Sequence, residues 1–174
     1  MSAPHLRPGL PSDFVAIVAL ERATETAPHW SPATYVAILS AAPGPQRCLI
    51  VAESAGSLVG FAVASLQPEM TSDERIAEVE SVAVAASVRR AGIGRALCSA
   101  VLNWCRDHGA IQVGLEVRAS GAAAIALYTS LGFAEVGTRP RYYREPEDDA
   151  LIMRLDCAKQ PYQQHQTIPT TPAS

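Results

Sequence analysis

The sequence predicts a mixed α/β domain built on a single β-sheet. Segments whose apolar residues alternate with polar ones occur beside segments whose apolar residues recur every three or four positions. Near the middle of the chain, one alternating segment runs through a loop with two glycines into a clearly amphipathic segment. About four strands followed by helix, strand, helix and two further strands indicate a mixed sheet with this strand–loop–helix unit at its centre.

The composition supports one folded domain and a tail. The chain has 174 residues, of which 48% are hydrophobic and 18% are charged, and this suits a single domain with an ample core. The last stretch, from Lys159 to Ser174, is rich in Gln, Thr and Pro and has almost no apolar content. We therefore expect a folded domain over residues 3–157 and a disordered tail over residues 158–174.

The same composition disfavours several classes of protein. No apolar run reaches the roughly 18 residues of a membrane helix, and the first residues lack the apolar segment of a secretory signal. The cysteines lie neither in a CxxC pair nor at metal-ligand spacing, and the net charge of −3 argues against a general nucleic-acid binder. We therefore expect a reduced, cytoplasmic protein that binds no metal, membrane or nucleic acid. We also expect a monomer, although none of these features bears on the oligomeric state.

The first third of the chain contains two predicted helices and a predicted hairpin. Ser12 and Asp13 precede apolar residues at three- and four-residue steps, which predicts a helix start. Ser31 places a capping hydroxyl before Pro32, so we expect a second helix through about Ala41. Strands are predicted over Cys48–Glu53 and Leu58–Leu66, joined by a tight turn at 55–57.

The remaining elements show both periodicities. Arg75–Val84 alternates strongly, and a break between Ile76 and Val79 predicts a bulge there. A helix with one apolar stripe follows Gly94 and ends near His108. The other predicted elements are a central apolar strand over Ile111–Val117, a helix over Ala122–Leu131, and closing strands over Phe133–Thr138 and Leu151–Leu155.

The loop that precedes the central helix is the most informative segment. Gly92 and Gly94 lack a Cβ, which lets a phosphate approach the backbone at a helix N-terminus. Arg89, Arg90 and Arg95 add positive charge around that point. A glycine pair before a helix also occurs in simple tight turns, and neither a dinucleotide-binding pattern nor a P-loop is present. Taken alone, the loop leaves phosphate binding and a structural turn both open.

This loop and several later segments together resemble one known family. Arg89-x-x-Gly92-x-Gly94, after a Val-Ala-Val strand, is similar to the acetyl-CoA motif of the GCN5-related N-acetyltransferases. Leu115–Phe133 is similar to the RimI-type subfamily, which acetylates protein N-termini. Further similar segments, in the same order along residues 5–156, are Pro28-His29-Trp30-Ser31, Tyr142-Tyr143 and Asp148–Met153.

The resemblance implies a fold and a site for acetyl-CoA. The family has a twisted mixed sheet of six to seven strands with about four helices, in which two central strands part and hold acetyl-CoA between them. One strand pairs with the pantetheine arm like an added strand, and the glycine loop holds the pyrophosphate. The subfamily usually has Asn at the position of Gly121, where the neighbouring backbone would have to serve instead. The residues implied for acetyl-CoA are Val82, Ala83, Val84, Arg89, Arg90, Ala91, Gly92, Ile93, Gly94, Arg95 and Gly121.

Glu116 and Tyr128 are the predicted catalytic residues. Glu116 interrupts an otherwise apolar strand near its C-terminal end, and a carboxylate in a partly desolvated site can accept a proton directly or through water. The alternative is a strand-end glutamate that pairs with Arg118 or faces solvent. The resemblance implies that Tyr128 protonates the departing CoA thiolate, whereas the helix alone would predict an ordinary core tyrosine.

A basic and aromatic cluster lies between the last two predicted strands. It comprises Arg139, Arg141, Tyr142, Tyr143 and Arg144 in one short predicted loop, which acidic residues follow at once. Such a cluster is compatible with RNA binding. The carboxylates beside it favour a loop on the substrate side of an enzyme instead.

These features together predict an acetyl-CoA-dependent N-acetyltransferase. The resemblance implies that its substrate is the N-terminal alanine of a protein like ribosomal protein S18, whose amine attacks the thioester directly in a ternary complex. An α-amine with a pKa of about 8 is neutral at pH 7 far more often than a lysine amine with a pKa of about 10.4, so a modest base suffices. Two alternatives stay open: acetylation of a small-molecule amine, and a non-catalytic module that binds CoA or a partner.

Overall fold

A seven-stranded mixed sheet forms the centre of the molecule, and four α-helices cover its two faces. The computed structural model describes residues 4–40, 43–67 and 74–159, and these counts refer to those residues. The strands are β1 (His5–Pro8), β2 (Arg47–Ser54), β3 (Ser57–Leu66), β4 (Arg75–Val84), β5 (Ala110–Arg118), β6 (Ala134–Arg144) and β7 (Glu147–Asp156). The helices are α1 (Phe14–Arg22), α2 (Pro32–Leu39), α3 (Ile93–Asp107) and α4 (Ala122–Ser130). The predicted fold class is confirmed.

The sheet order is β1-β2-β3-β4-β5-β7-β6, and β4 and β5 form its parallel pair. Their ladder begins at Arg75 and Ala110 and ends at Glu78 and Gly114. Beyond those residues β4 continues to Val84 and β5 to its own end without pairing with each other. The prediction that β5 is an interior strand is confirmed, and the two strands part after Glu78 and Gly114.

Each face of the sheet carries its own apolar core. One core packs α3 against β2–β5 and β7, and the predicted stripe residues of α3 are buried there, namely Leu97, Val101, Leu102 and Cys105. The second core packs α1 and α2 against β2, β3 and β4 around the buried rings of Tyr35 and Phe61. We call these the α3 face and the α1/α2 face.

The bulge in β4 lies at a different residue from the one predicted. The sequence pattern placed it between Ile76 and Val79, whereas in the structure Val79 and Ser81 pair with consecutive residues of β3 and Glu80 is the extra residue. The Glu80 carboxylate accepts hydrogen bonds from Arg47 at 2.9 and 3.1 Å and from Ser65 at 3.0 Å. These bonds hold the displaced residue in place, and hydropathy alone contains no sign of them.

The segment predicted as a loop at Arg139–Arg144 is part of β6, so that prediction is wrong. The strand passes through a second irregularity, since pairing with β7 moves from Arg139–Ala150 directly to Tyr143–Asp148. Pro140 lies inside this irregularity on an edge strand, where its missing N–H leaves no ladder bond unmade. β7 likewise starts at Glu147, four residues before the predicted Leu151.

The predictions at the helix ends need smaller corrections. The turn at Pro11–Asp13 is a 3-10 helix, and α1 itself begins at Phe14. α2 ends at Leu39, before the predicted Ala41, which lies outside the described residues. α4 and its stop at Gly132, which has a φ of 98°, agree with the prediction. The short strand β1 was not predicted, because four residues offer too little alternation to detect.

The tail predicted over 158–174 lies outside the described residues beyond Lys159, and the domain bounds stay a prediction. Within the described ranges, no helix combines the length and the apolar character needed to cross a membrane. The same ranges contain no group of three or more His, Cys, Asp or Glu side chains arranged to hold a metal ion.

An ion-pair network attaches β1 to the rest of the domain and gives a first prediction. Arg7 donates to both carboxylate oxygens of Asp13 at 2.7 and 2.9 Å and to Glu53 at 2.6 Å. The bond from Arg7 lowers the pKa of both carboxyl groups below their ordinary values. Because these pKa values are depressed in the folded state, the stabilisation exists above about pH 4 and is lost as the pH falls through the folded values.

We expect Asp13→Asn to lower the free energy of unfolding by about 1–2 kcal/mol at pH 7. The deficit should shrink below about pH 4, where the native carboxyl groups also become protonated. Urea denaturation at pH 7 and pH 3 measures both values. Glu135→Gln, which alters an exposed carboxylate of β6, is the matched control. A deficit that is the same at both pH values would contradict the ion-pair account.

Candidate active site

The edge of β4 beyond its last pair with β5 is the first component of the site. Val82, Ala83 and Val84 pair with β3 on one side, and in the described structure no strand pairs with them on the other. Their side chains are held from both faces, since Val82 and Val84 contact the α3 face and Ala83 is buried in the α1/α2 face. The backbone is therefore a fixed, open strand edge that an extended ligand can join.

The loop from Arg89 to Gly92 leads from the end of β4 to the N-terminus of α3. Gly92 is the N-cap with a φ of 79°, and it brings no side-chain cap to the first-turn N–H groups. A Cβ built on Gly92 meets no atom within 4 Å, so the space over the helix start is open. Arg90 also has a positive φ, of 64°. Free N–H groups at the positive end of a 15-residue helix suit an anion such as a phosphate.

Two of the three predicted loop arginines are engaged by the protein itself. Arg89 Nε donates to the Val84 carbonyl at 3.4 Å, which ties the loop to the end of β4. Arg95 Nη1 donates to Ser130 Oγ at 2.7 Å, which joins α3 to the end of α4. Both groups are exposed, so they still contribute positive charge around the helix start.

Gly121 occupies the N-cap of α4, where the related subfamily has Asn. Its φ of −79° is accessible to any residue, so backbone strain does not require glycine here. A Cβ would lie 3.1 Å from the Arg118 carbonyl oxygen, which is a tight contact. α4 therefore starts without a side-chain cap, and only backbone atoms of Gly121 are available to a ligand.

Glu116 lies on the α1/α2 face of β5, because its neighbours Leu115 and Val117 are buried on the α3 face. Its side chain is 22% exposed, and Oε1 lies 3.1 Å from Nη1 of Arg139 in an ion pair. The alternative partner, Arg118, is wrong, since it donates to the carbonyls of Glu145 and Pro146 instead.

Two tyrosines of β6 complete the surroundings of Glu116. The pKa of Tyr142 is raised by the charge of Glu116, then by burial and by the hydrogen bond that its hydroxyl makes to Glu116. Burial and then the same carboxylate raise the pKa of Tyr143. The Arg118 guanidinium lies 4.1 Å from the centroid of the Tyr143 ring. Ser120 Oγ donates to Asp148 at 2.6 Å, which holds the β6–β7 hairpin against the start of α4.

A second carboxylate beside Glu116 was missed by the sequence reasoning. Glu78 follows Ala77 and precedes Val79, which are both buried on the α3 face, so Glu78 points to the α1/α2 face. Burial raises its pKa first, followed by the charges of Glu80 and Glu116, while Gln67 donates a hydrogen bond to it at 3.0 Å. The alternation signal was present in the sequence, but it fits an exposed strand face equally well.

Tyr128 lies on α4 beside the α3-face core rather than next to Glu116. Its ring meets Phe133 edge-on with centroids 5.8 Å apart. Burial raises its pKa, followed by the neighbouring Cys98 and Tyr143. Tyr143 contributes to the raised pKa of Tyr128, and Glu116 contributes to the raised pKa of Tyr143.

The last turn of α1 borders the same face and contains a buried carboxyl group, that of Glu21. Glu21 is 1% exposed, and its Oε2 lies 3.5 Å from Nδ1 of His29, which has a positive φ of 51°. The rings of Trp30 and Tyr35 lie 5.5 Å apart. Sequence periodicity did not identify this pair, because Glu21 falls on the predicted apolar stripe of its helix.

Comparison with known proteins supplies the context for this geometry. The sequence model of the Acetyltransferase (GNAT) family matches residues 15–133. N-alpha-acetyltransferase RimI of Mycobacterium tuberculosis is 39% identical over 127 residues, which cover 73% of this chain and 75% of that protein. The crystal structure of the ribosomal-protein-S18-alanine N-acetyltransferase from Escherichia coli has a TM-score of 0.73 and 29% identity, and it covers 94% of this chain and 100% of that one.

The same arrangement of elements occurs in yncA, a putative acetyltransferase from Salmonella typhimurium solved with its cofactor acetyl-CoA. That structure has a TM-score of 0.71 and 21% identity, and it covers 98% of this chain and 100% of that one. At this identity the likeness concerns the fold. The matched family segment runs from α1 to Phe133 and so includes both parted strands, the glycine loop and α4. The chain therefore belongs to the Acetyltransferase (GNAT) family and is an acetyl-CoA-dependent N-acetyltransferase.

Proposed function

We propose that this protein acetylates the N-terminal α-amine of another protein, with the N-terminal alanine of a ribosomal protein like S18 as its substrate. The observation that carries the proposal is the carboxylate of Glu116, set on the α1/α2 face beside the two tyrosines of the β6–β7 hairpin. The names of the two enzymes compared above, one an N-alpha-acetyltransferase and one specific for S18 alanine, support it. A newly made ribosomal protein meets such an enzyme in the cytoplasm, where we propose that it acts as a monomer.

The chain's own residues fit acetyl-CoA in two places. The open edge of Val82–Val84 offers backbone groups to the amides of the pantetheine arm. The uncapped N–H groups from Gly92 to Arg95, at the start of α3, suit the pyrophosphate. The backbone of Gly121 takes the place of the Asn side chain that the related subfamily has there. These assignments make the strand edge and the helix start a single elongated site.

The reaction needs a neutral amine next to the thioester, in a ternary complex. Glu116 accepts the proton of the substrate ammonium, directly or through water. The amine nitrogen then forms the new C–N bond to the acetyl carbonyl as the C–S bond breaks, and the amine's second proton is released. Tyr128 donates its hydroxyl proton to the departing sulfur and recovers a proton from solvent.

Tyr128 has the smaller part in this scheme. Its raised pKa keeps the hydroxyl protonated at neutral pH, so a proton is present to be donated. A thiol has a pKa of about 8.5, so the departing thiolate is stable enough to need little help from this proton. Positioning of the two substrates and removal of the ammonium proton therefore contribute more to the rate.

The substrate class is tested by a panel of acceptors. We expect a peptide that begins with Ala or Ser to be acetylated faster than the same peptide with a blocked N-terminus and an internal lysine. The reason is the lower pKa of the α-amine, which leaves several hundredfold more neutral amine at pH 7. Release of CoA thiol with each peptide measures the rate. Equal or faster reaction of the blocked peptide, or of a polyamine, would remove the N-terminal assignment.

The cofactor site is tested with a matched pair of glycines. Gly92 and Gly56 have φ values of 79° and 78°, and a Cβ on either meets nothing within 4 Å. Alanine at each position should therefore cost a similar amount of stability, about 1–2 kcal/mol. Only Gly92→Ala should weaken acetyl-CoA binding, by about tenfold or 1.4 kcal/mol, because its Cβ fills the space over the helix start. Calorimetry that finds the same affinity in both variants would refute this phosphate site.

The general base is tested by comparing Glu116→Gln with Glu78→Gln. We expect Glu116→Gln to lower kcat by about 100-fold at pH 7, within the usual range for a lost base. The deficit should shrink at high pH, where more of the amine is already neutral, and acetyl-CoA affinity should hardly change. Glu78→Gln should keep kcat within severalfold. If Glu78→Gln instead shows the larger loss with rescue at high pH, the base is Glu78.

Tyr128→Phe provides the contrasting profile within the same experiment. Its loss of kcat should be smaller than that of Glu116→Gln, because a thiolate leaves with little help. High pH should not rescue it, since the defect concerns the leaving group and not the amine. A Tyr128→Phe enzyme with the larger deficit would reverse the relative importance assigned to the two residues.

A further inference from the structure

The ion pair between Arg139 and Glu116 joins two strands that are not neighbours. Glu116 of β5 is in register with Ile152 of β7, and Arg139 of β6 is in register with Ala150, two residues along. The guanidinium crosses β7 to reach the carboxylate at 3.1 Å. The two side chains differ in exposure, with 54% for Arg139 and 22% for Glu116. The cation is thus the solvent-exposed member of the pair.

The irregularity in β6 fixes this arrangement. Pairing with β7 is regular up to Arg139 and resumes at Tyr143. Between them, Arg141 has a φ of 50° and its N–H donates to Asp149 at 2.8 Å. The Tyr142 ring lies 5.5 Å from the Arg139 guanidinium carbon, and its hydroxyl bonds to Glu116. The bulged segment therefore places a cation and a hydroxyl on the same carboxylate.

In this geometry the proposed base, Glu116, is not free to contact a substrate, because Arg139 already pairs with it. A substrate α-ammonium approaches Glu116 from solvent on the α1/α2 face, where Arg139 already supplies a positive charge. Two cations that contact the same carboxylate repel each other, and Arg139 already contacts Oε1 of Glu116. The arginine and the substrate ammonium therefore compete for Glu116.

We propose that Arg139 is a positioning residue that occupies the place of the substrate ammonium in the free enzyme and leaves Glu116 when the substrate binds. This inference rests on the proposed role of Glu116 as the base. An ion pair with so exposed a partner contributes only about 0.2–1 kcal/mol, so an incoming cation displaces it readily. The other ionisable groups facing Glu116 are Glu78 from β4 and Tyr142 and Tyr143 from β6, while β7 presents the apolar Ile152.

The first test measures peptide affinity. We expect Arg139→Met to bind an N-terminal Ala peptide about two- to fivefold more tightly in the presence of saturating CoA at pH 7, because the ammonium no longer competes with the guanidinium. Calorimetry with CoA and peptide measures a complex that cannot react. Arg139→Lys, which keeps a competing cation, should retain the wild-type affinity. Weaker binding by Arg139→Met would make Arg139 an ordinary substrate contact and overturn the proposal.

Arg141→Met is the matched control for charge alone. It removes the same charge two residues away, at an exposed position of the bulge. A general electrostatic effect on a cationic peptide would tighten binding equally in both variants. We expect the gain in affinity only with Arg139→Met. Equal gains in the two methionine variants would overturn the proposal.

The second test separates the free enzyme from the complex. A change in KM at constant kcat reports binding of the substrate, whereas a change in kcat reports a group that acts in the enzyme–substrate complex. Arg139→Met should lower the KM of an N-terminal Ala peptide by about two- to fivefold and keep kcat within severalfold, because Arg139 has already left Glu116 in the complex. A fall in kcat of tenfold or more would mean that Arg139 acts in the complex. An unchanged KM, with only a lower thermal midpoint, would mean a structural pair. Either result overturns the proposal.

A double variant keeps this inference distinguishable from the proposed function. In a Glu116→Gln background, Arg139 and the substrate ammonium have no carboxylate at position 116 to compete for. Adding Arg139→Met to that background should therefore leave peptide affinity unchanged. If Glu116→Gln retains normal kcat while Arg139→Met still tightens binding in the wild-type background only, the base assignment fails and the competition at Glu116 stands. If the tightening persists in the Glu116→Gln background, the competition itself is refuted.

Discussion

The parallel ladder between β4 and β5 ends at Glu78 and Gly114, although both strands continue beyond it. The geometry of the candidate site depends on this early end of the pairing. It leaves the backbone of Val82–Val84 without a partner on one side, inside a sheet whose other interior edges are paired among the described strands. It also brings the open end of the strands next to the N-terminus of α3. Unpaired backbone N–H and C=O groups in the middle of a sheet are costly unless a ligand or water forms hydrogen bonds with them. This open edge therefore favours the binding of an extended ligand.

The electrostatics of the α1/α2 face follow from the same geometry. Glu78, Glu80 and Glu116 project to one region because β4 and β5 present their polar positions to the same side. Arg47 donates two hydrogen bonds to Glu80, and Arg139 forms an ion pair with Glu116 across β7. Each cation lies two strands away from its carboxylate, Arg47 on β2 across β3 and Arg139 on β6 across β7. The region can therefore hold three acidic groups close together and still receive a positively charged substrate.

The sequence predicted the features that depend on local pattern, and it failed where long-range contacts decide. The stripe of α3, the glycine at its start and the stop after α4 were all recoverable from periodicity and residue type. The partner of Glu116 was not, because Arg139 is brought to it by the register of β6 on β7. The continuation of β6 through Pro140 was missed for the same reason, since only an edge position with a bulge makes proline acceptable there. Glu78 could be seen as a polar strand residue, but its burial depends on the packed hairpin and helices.

The extra residue in β4, Glu80, determines which face of the sheet the side chains on either side of it point to. Before Glu80 the even-numbered position 78 faces α1 and α2, and after it the odd-numbered Ser81 and Ala83 face that way. A strand lacking one residue here would turn Val82 and Val84 toward the wrong core, and its open backbone groups would change direction. Substitutions along β4 alter only single contacts, whereas an insertion or deletion would reverse which face each residue of the open edge points to. The length of this strand is therefore under a stricter constraint than the identity of its side chains.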